Sequence, residues 1–505
     1  MPAVIAFLLG AVSVFGYAPF YLYPLTVLAL AGLAMVWVRT KAARAAAGIG
    51  LCFGLGLFVT GTSWVYVSLH DYGGMPMPIA AGTTLAFCGH LALYPAAIGA
   101  LLQRAGASRA VSLLVLLPAL WSAAEWVRGW MFTGFPWLAL GYSQTPASPL
   151  AGYAALFGVY GVSLVTAAVA GAIALTAERD LIRRHLPGRQ RVRAVLLERP
   201  MWIAAALLAV GLVFSLWQWT VPLDREPTTV ALVQGNIPQE LKWRPERARQ
   251  TLIDYLELTR TTDATLVLLP ETALPMFNAD LPHGYLDMLA AHVRANDGDL
   301  LTGVPEYAGP GRFYNSVISV GSSPEQNYRK VHLVPFGDYF PLRGMLGWFM
   351  NLLDIPMSDF SRGDAGQRPM EVAGQRVAIN ICYEDVFGEE IIRQLPEATV
   401  LANFTNDAWW GRSLASRQHL QIAQMRSLET GRYMLRATNT GVTAIIDARG
   451  RVKAVAPEFE TMVLTGEVVG YRGATPFVHW GNLAFLVVAG VMIGAGFASG
   501  KHRRN

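Results

Sequence analysis

Long apolar runs are the feature that most constrains the fold of this chain. A helix needs about 20 residues to cross a hydrocarbon core of roughly 30 Å, and eight apolar runs approach that length. They lie near residues 3–19, 22–38, 46–68, 78–102, 110–127, 152–176, 201–220 and 479–498. The chain is 53% hydrophobic and only 15% charged, which is too apolar for an ordinary soluble protein. The sequence therefore predicts a polytopic α-helical membrane bundle of about eight spans.

Basic residues in the short connections predict the orientation of the spans, because Lys and Arg accumulate on the cytoplasmic side of a membrane. They follow the second, fourth and sixth spans and recur in the C-terminal tail: Arg39, Lys41, Arg44, Arg104, Arg109, Arg179, Arg183, Arg184, Arg189, Arg191, Arg193, Arg199, Lys501, Arg503 and Arg504. The short loops of the opposite side contain Arg128 alone. We therefore expect both termini in the cytoplasm, and we interpret the pI of about 9.1 as topology and not as nucleic-acid binding.

The segment between the last two spans, residues 221–477, is predicted to be an extracytoplasmic domain. Strand-like stretches such as "ATLVLLP" alternate in it with helix-like stretches such as "GYLDMLAAHVRAND", and "SRQHLQIAQMRSLETGRYMLRA" predicts one longer helix. This alternation is typical of strands covered by helices, an α/β domain. The predicted organisation is a bundle of seven spans over 1–220, the α/β domain, and a last span with a basic tail over 478–505.

Cys382 is the only cysteine in the polar part of the chain, since Cys52 and Cys88 lie in apolar runs. An extracytoplasmic compartment is oxidising, yet Cys382 has no partner cysteine in its domain. The residue stands where a predicted strand meets an expected helix N-terminus, and the positive end of a helix favours a thiolate. It is therefore a candidate nucleophile, although a free cysteine is often only a small buried hydrophobic residue.

Two further charged residues stand at or near predicted strands. Glu271 follows four apolar residues and a proline in "LVLLPETALP", and Lys330 lies among apolar and aromatic neighbours in "YRKVHLVPFGDYFP". Each also has an ordinary structural interpretation, Glu271 as a solvated turn residue and Lys330 as a solvated edge residue. The residues alone leave these interpretations open.

Taken in order, "LPETALP", "YRKVHLVPFGDYFP" and "NICYED" resemble the Glu, Lys and Cys motifs of the nitrilase superfamily. With "VQGNIPQELKW", "FPWLALGYSQ" and "NFTNDAWWG", and with spans on both sides of the α/β domain, nearly the whole chain is similar to the bacterial apolipoprotein N-acyltransferases. This resemblance implies a four-layer α-β-β-α sandwich for the domain. It also implies a location in the bacterial inner membrane, with the catalytic domain in the periplasm.

The resemblance further implies a reaction between two amphiphiles. An acyl chain passes from a membrane phospholipid to the N-terminal α-amine of the diacylglyceryl-cysteine of an apolipoprotein, and a covalent acyl-enzyme divides the transfer into two encounters. Cys382 would be the nucleophile, Glu271 the base, and Lys330 the cation beside the oxyanion. No cofactor is implied, and no metal is expected, because the domain lacks a His/Cys cluster at ligand spacing.

Residues around this triad are also implied. Asp338, Tyr383 and Glu384 are expected to surround it, with Asp338 and Glu384 holding Lys330 and orienting the base. The family usually has Glu where this chain has Asp338, whose shorter side chain keeps the charge. Candidate substrate-binding residues are aromatic: Trp137, Trp243, Trp348, Phe349 and Trp410. From the residues alone, each could equally belong to a core, a wall or an interfacial belt.

The segment 343–357 is predicted to be a mobile, membrane-dipping arm over the active site. It is too apolar for a surface loop outside a membrane, and Gly344, Gly347 and Pro356 offer points of bending. An arm that opens would admit two amphiphiles in turn and then close to exclude water from the acyl-enzyme.

Two other functions compete with this interpretation. A membrane-anchored amidohydrolase could use the same three residues, because transfer and hydrolysis differ only in whether an amine or water resolves the acyl-enzyme. A small water-soluble substrate would not require spans on both sides of the domain.

An eight-span transporter with a ligand-binding outer domain would need charged or broken helices along a pathway. The predicted spans are almost free of charge, with Glu125 and Arg128 near the end of one of them.

Overall fold

The computed structural model describes residues 1–182, 195, 198–339 and 359–504. Within it the chain forms two compact units. The first consists of residues 1–63, 81–217 and 480–505, and the second of residues 64–80 and 218–479. The second unit has nearly the ends predicted for the α/β domain, and it includes in addition the segment 64–80, which the sequence had assigned to the bundle.

The first unit is built from apolar helices. Of the helices in the described residues, six are long and apolar enough to cross a membrane: Ala43–Thr62, Met77–Ala105, Arg109–Arg128, Pro149–Leu181, Arg199–Leu216 and Leu483–His502. Two shorter apolar helices, Pro2–Gly16 and Tyr23–Arg39, occupy the positions of the first two predicted spans. By length and composition, these helices are those of an integral membrane protein.

The third predicted span, 46–68, is longer than the helix that forms it. The helix Ala43–Thr62 is followed by a separate short helix over Trp64–Val67 and by a π-helical turn over Ser68–Tyr72. The sequence did not predict this break, because the small polar residues Thr62 and Ser63 interrupt the apolar run only briefly. The short helix and the turn belong to the second unit.

Two charges in the first unit lie near the C-terminal end of one helix and bind the connection that follows it. The Arg128 guanidinium donates hydrogen bonds of 2.6 Å to the carbonyl oxygens of Phe135 and Trp137. Glu125 accepts a hydrogen bond of 2.8 Å from the backbone N–H of Leu140. Both charges therefore satisfy backbone groups that would otherwise be buried without partners.

The second unit contains two six-stranded sheets and a two-stranded pair in the described residues. The strands are β1 (Val221–Pro222), β2 (Thr228–Gln234), β3 (Leu266–Leu269), β4 (Asp299–Tyr307), β5 (Phe313–Gly321), β6 (Asn327–Arg329), β7 (Met370–Val372), β8 (Gln375–Ile381), β9 (Val400–Thr405), β10 (Met434–Thr438), β11 (Ala444–Ile446), β12 (Val452–Val455), β13 (Met462–Val468) and β14 (Tyr471–Arg472). One sheet has the order β13-β2-β3-β4-β5-β6 and the other the order β12-β11-β10-β9-β8-β7, while β1 pairs with β14. Both sheets contain a parallel centre, formed by β2, β3 and β4 in one and by β8, β9 and β10 in the other.

Side chains of the first sheet alternate between its two faces. In β2, Val230 and Leu232 belong to an apolar core that residues of both sheets share. The intervening Ala231 and Val233 pack on the other face with residues of the helix Pro245–Arg260. The period of two that defines a strand therefore gives this sheet one face toward the other sheet and one toward helices.

The second sheet repeats this arrangement. Ile379 and Ile381 of β8 belong to the core between the sheets, whereas Ala378 packs outward with Leu420 of the helix Ala415–Thr430. The layers are therefore helix, sheet, sheet and helix. The α-β-β-α sandwich implied by the resemblance is confirmed.

One predicted helix is shorter than the sequence indicated. The stretch predicted to be helical through Ala437 forms the helix Ala415–Thr430, and Gly431 follows it with a left-handed φ of 64°. Glycine adopts this conformation at little cost, so the chain turns there and β10 begins at Met434. The prediction was wrong because the predicted helix ran across Thr430, Gly431 and Arg432 into apolar residues that belong to β10.

Candidate active site

Three strand ends carry the residues predicted to be catalytic. β3 leads through Pro270 to Glu271, β6 leads directly to Lys330, and β8 leads directly to Cys382. The first two strands belong to one sheet and β8 to the other. The Lys330 Nζ lies 3.4 Å from Glu271 Oε1, and both side chains act electrostatically on Cys382. The sandwich thus brings together three residues that are distant in sequence.

The Glu271 carboxylate is buried and held at both of its oxygens. Oε1 accepts a hydrogen bond of 2.8 Å from Asn315 Nδ2, and Oε2 accepts one of 2.9 Å from the backbone N–H of Asn406. The side chain of Asn406 donates in turn to Gln239 Oε1 at 2.8 Å. Two neutral donors fix the carboxylate geometry, and the Lys330 ammonium is the cation closest to it.

A glycine allows the turn that carries Glu271 to lie against β4. A Cβ atom on Gly303 would lie 2.4 Å from the backbone nitrogen of Thr272 and 2.5 Å from the carbonyl oxygen of Pro270. Real Cβ atoms do not make such contacts with backbone, so the close approach requires glycine at this position. Gly303 therefore determines where the carboxylate of Glu271 can lie.

Lys330 is almost completely buried, with 1% of its surface exposed. Its Nζ lies 2.8 Å from Asp338 Oδ2, closer than to Glu271. Burial alone would lower the pKa of Lys330, but the two carboxylates outweigh burial and raise it above its ordinary value. The ammonium is thus a permanent positive charge, and the shorter side chain of Asp338 does not prevent the expected ion pair.

Cys382 occupies a constrained position in the turn that follows β8. Its φ is +52°, a left-handed conformation that is uncommon for a residue with a side chain. Asn403 Nδ2 donates a hydrogen bond of 3.0 Å to the carbonyl oxygen of Cys382. The thiol is surrounded by protein although the residue keeps some exposed surface. A nucleophile presented in this way is fixed in direction.

The sequence predicted a helix N-terminus at Cys382, and this prediction was wrong. The residues Cys382–Val386 form a short 3₁₀ turn, and a four-residue helix, Gly388–Ile391, follows. Burial and then the charge of Glu271 raise the pKa of the Cys382 thiol, whereas Lys330 lowers it. The resting thiol therefore holds its proton. The sequence had predicted that a helix would stabilise the thiolate, but the structure leaves that task to a base.

The sequence predicted that Glu384 would hold the Lys330 ammonium. In the structure its carboxylate binds backbone N–H groups instead. Its Oε1 accepts hydrogen bonds from the backbone N–H groups of Val331 and His332 at 2.6 and 3.0 Å, and its Oε2 accepts one from Ile381 at 2.7 Å. Burial raises the pKa of Glu384 to about 7, and these backbone donors oppose the shift. The carboxylate thus ties the segment after Lys330 to the end of β8.

The sequence relationships of the chain agree with this geometry. The family described as apolipoprotein N-acyltransferase N-terminal domain matches residues 9–172, and the family described as carbon-nitrogen hydrolase matches residues 229–476. The apolipoprotein N-acyltransferase of Nitrosomonas europaea is 48% identical over 97% of this chain and 96% of its own length. That of Chromobacterium violaceum is 44% identical over 99% of this chain and 94% of its own. This chain belongs to the apolipoprotein N-acyltransferase family.

Solved structures include proteins similar to part of this chain. An amidase from Nesterenkonia sp. is 14% identical over 51% of this chain and 95% of the amidase, with a TM-score of 0.36. A carbon-nitrogen hydrolase from Helicobacter pylori G27 is 15% identical over 48% of this chain and 88% of that protein, also with a TM-score of 0.36. The resemblance drawn from the sequence motifs is confirmed by the matches of the apolipoprotein N-acyltransferase and carbon-nitrogen hydrolase families.

The aromatic residues predicted to bind substrate have different surroundings in this N-acyltransferase. Trp243, at the end of the short helix Gln239–Lys242, is half-buried. Trp410 is also half-buried, with ring centroids of Trp64 and His419 at 5.3 and 5.1 Å. Each of these two keeps some surface that a substrate could contact.

Within the described part of the chain, the other predicted aromatic residues add no exposed surface that a substrate could contact. Trp137 is completely buried within the first unit, where it stacks on Phe135 with centroids 6.0 Å apart. Tyr383, which was expected to surround the triad and not to bind substrate, is buried, and its ring centroid lies 5.3 Å from that of Phe387. Trp348 and Phe349, with the whole predicted arm 343–357, lie outside the described residues.

A buried ionic cluster, which the sequence did not predict, lies beside the nucleophile. Arg436 contacts Asp385 and Asp407 at 3.3 and 2.9 Å, and it donates to Asn403 Oδ1 at 2.7 Å. His419 lies between the same two aspartates, at 2.7 and 3.2 Å. Because Asn403 also binds the Cys382 carbonyl oxygen, the cluster supports the turn that presents the thiol.

Sequence reasoning also missed two neutral residues that bind Glu271. Asn315 lies in β5 and donates a hydrogen bond from its side chain, whereas Asn406 directly follows β9 and donates one from its backbone N–H. A signal for Asn406 was present, because "NFTND" places polar residues at the end of an apolar strand. No comparable signal marked Asn315, whose role depends on the pairing of β5 with β4.

The arrangement is suited to acyl transfer through a covalent intermediate. It supplies a thiol, a buried carboxylate to take the thiol proton, and a permanent cation for a developing oxyanion. Within the described residues, no three His, Cys, Asp or Glu side chains are grouped in a way that could hold a metal ion.

Proposed function

We propose that the enzyme transfers an acyl chain from a membrane phospholipid to the α-amine of the N-terminal diacylglyceryl-cysteine of apolipoproteins, the last step of lipoprotein maturation. The observation that carries the proposal is the Cys382 thiol, on which the buried and ion-paired Glu271 and Lys330 both act. Relatives that match almost the full length carry the name of this acyltransferase.

In the first half-reaction, Glu271 accepts the thiol proton and the Cys382 sulfur attacks the ester carbonyl carbon of the phospholipid. The tetrahedral oxyanion forms beside the Lys330 ammonium, and in other enzymes removal of one such donor costs roughly 3 to 4 kcal/mol. The carbon–oxygen bond to glycerol then breaks, and Glu271 returns the proton to the leaving oxygen. The products are a lysophospholipid and a thioester on Cys382.

In the second half-reaction, the α-amine of the apolipoprotein attacks the thioester carbon. Glu271 accepts a proton from the attacking nitrogen, whose ordinary pKa is about 8. The carbon–sulfur bond breaks, an amide forms, and the thiolate recovers its proton from Glu271. The two amphiphiles therefore use the site in turn, as a ping-pong mechanism requires.

The proposed arrangement in the cell follows from the basic residues and the apolar helices. Residues 1–220 and 478–505 would form the bundle in the bacterial inner membrane, with both termini in the cytoplasm. Residues 221–477 would lie in the periplasm, where mature lipoproteins are assembled at the outer leaflet. Acyl chains leave a bilayer at a cost of about 0.8 kcal/mol per CH₂, which accounts for a catalytic domain attached to spans on both sides.

Intact-mass analysis of the purified protein, incubated with a phospholipid of defined acyl length and no acceptor, tests the mechanism. We expect a mass increase of one acyl chain that hydroxylamine removes and that Cys382→Ala abolishes. Addition of a synthetic diacylglyceryl-cysteinyl peptide should discharge the acyl chain onto the peptide. An unmodified wild-type mass together with normal transfer would contradict the thioester, and discharge to water alone would favour the amidohydrolase.

A further inference from the structure

Lys242 is a second buried lysine at the site, and the mechanism above does not use it. It ends the short helix Gln239–Lys242, which follows β2, and only 3% of its surface is exposed. Its Nζ donates a hydrogen bond of 3.1 Å to the backbone carbonyl oxygen of Glu271. A lysine side chain is rarely buried unless its charge has a function or a partner.

The ammonium of Lys242 has no carboxylate partner within 4 Å among the described residues, in contrast to that of Lys330. An ammonium has three N–H donors, and the hydrogen bond to the Glu271 carbonyl oxygen accounts for one of them. The charge of Lys330 is balanced by Asp338 at 2.8 Å. The charge of Lys242 is therefore available to groups at the reaction centre.

Two titratable groups act on Lys242, the Glu271 carboxyl and the Cys382 thiol. Burial lowers the pKa of Lys242 to about 8, whereas both of these groups act in the opposite direction and favour its charged form. At neutral pH most of the side chain is therefore charged. Its charge acts on the two residues between which the catalytic proton moves.

We propose that Lys242 is a positioning residue for acyl transfer, whose ammonium fixes the turn of Glu271 and stabilises the negative charge shared by Glu271 and Cys382. The inference rests on the proposed function. When the thiol proton moves to Glu271, one negative charge moves from the carboxylate to the sulfur. A cation that acts on both groups stabilises the charge in either position and lowers the cost of the transfer.

The short helix that carries Lys242 is itself fixed to the site. Gln239 Oε1 accepts a hydrogen bond of 2.8 Å from the side chain of Asn406, whose backbone N–H donates to the Glu271 carboxylate. Gln239 and Lys242 thus connect both ends of this helix to Glu271. The ammonium has a defined place, which a charge on a mobile surface side chain would lack.

The pH dependence of Cys382 alkylation tests the proposal, with iodoacetamide as the probe and the Cys382 peptide quantified by mass spectrometry. Lys242→Gln keeps a donor for the Glu271 carbonyl oxygen and removes the charge, whereas Lys242→Met removes both. We expect both variants to lower alkylation about tenfold below about pH 8, where the wild-type ammonium is charged, and to approach the wild-type rate at higher pH. The exposed Lys453→Met is the matched control and should leave the profile unchanged.

A purely structural role of Lys242 would give a different alkylation profile. If Lys242→Gln keeps the wild-type profile, or if both variants lower the extent of alkylation without shifting its pH dependence, the electrostatic role is excluded. Should Lys242→Met fail to fold, Lys242→Gln alone decides the question. Alkylation does not require a phospholipid, so failure of the proposed function would appear as the absence of a wild-type acyl-enzyme and not as an unshifted profile.

Discussion

The ammonium nitrogen of Lys330 lies 2.8 Å from Oδ2 of Asp338, and both side chains are buried. This ion pair is the shortest contact that Lys330 makes with a carboxylate, so Asp338 determines where the cation lies. Asp338 therefore forms the ion pair with Lys330 that was expected of the longer glutamate usual in the family. The Val334 N–H also donates to Asp338 Oδ2 at 2.8 Å, and this hydrogen bond helps to hold the carboxylate in place.

Asp338→Asn should impair acylation of Cys382 by phospholipid. Breaking a buried ion pair leaves an uncompensated charge at a cost of about 3–5 kcal/mol, so Lys330 should move toward Glu271 and lose its place beside the oxyanion. We expect the single-turnover acylation rate to fall by about 100-fold or more. Asp338→Glu should retain more activity than Asp338→Asn, and the exposed Asp280→Asn should behave as wild type. Equal activity of wild type and Asp338→Asn would contradict the assigned role.

Glu271→Gln and Lys330→Met should shift the pKa of the Cys382 thiol in opposite directions. Besides burial, the charge of Glu271 raises this pKa and the charge of Lys330 lowers it. Glu271→Gln should therefore allow alkylation by iodoacetamide at lower pH while abolishing acylation by phospholipid, since the thiolate is favoured but the base is lost. Lys330→Met should move alkylation to higher pH, with the exposed Glu257→Gln as control. A shift of both variants in one direction would refute this account of the thiol.

Gly303→Ala should disturb the active site without touching any catalytic side chain. The added Cβ would meet the backbone of Pro270 and Thr272 at distances that force the Glu271 turn away from β4. We expect a lower melting temperature and a loss of acylation, because overpacking of a buried site costs roughly 1–3 kcal/mol. Gly366→Ala, where the added Cβ meets only Asp364 Oδ1 at 3.5 Å, is the control. A fully active Gly303→Ala enzyme would show that the turn can move without consequence.

A reporter that works only outside the cytoplasm should be active when fused near Gly309 and silent when fused at Gly188. Gly309 lies between β4 and β5 of the second unit, where a Cβ would meet no other atoms. Gly188 belongs to the Arg-rich stretch after the sixth predicted span. Fusions with a reporter that requires the cytoplasm should give the reverse pattern. Silence of the first reporter at Gly309 would overturn the predicted orientation.

The sequence by itself determined the features that local chemistry specifies. Apolar runs of span length predicted the membrane helices, because burying a backbone in lipid requires a continuous apolar surface. Positions at the ends of apolar strands made Glu271 and Cys382 candidates, since such positions combine a rigid support with an open end. The residues alone left the role of Lys330 open, and the resemblance of the three motifs to those of a known family implied the catalytic roles.

Only the tertiary structure decided which groups support those residues. Asn315 and Lys242 come close to Glu271 through strand pairing and through the placement of a short helix, neither of which has a local signature. The observed role of Glu384 differs from the predicted one for the same reason. Its carboxylate accepts hydrogen bonds from backbone N–H groups of a segment more than fifty residues earlier in the chain. Electrostatic effects depend on distance in space, so the high pKa of the Cys382 thiol arises from burial and neighbours that only the folded sandwich brings together.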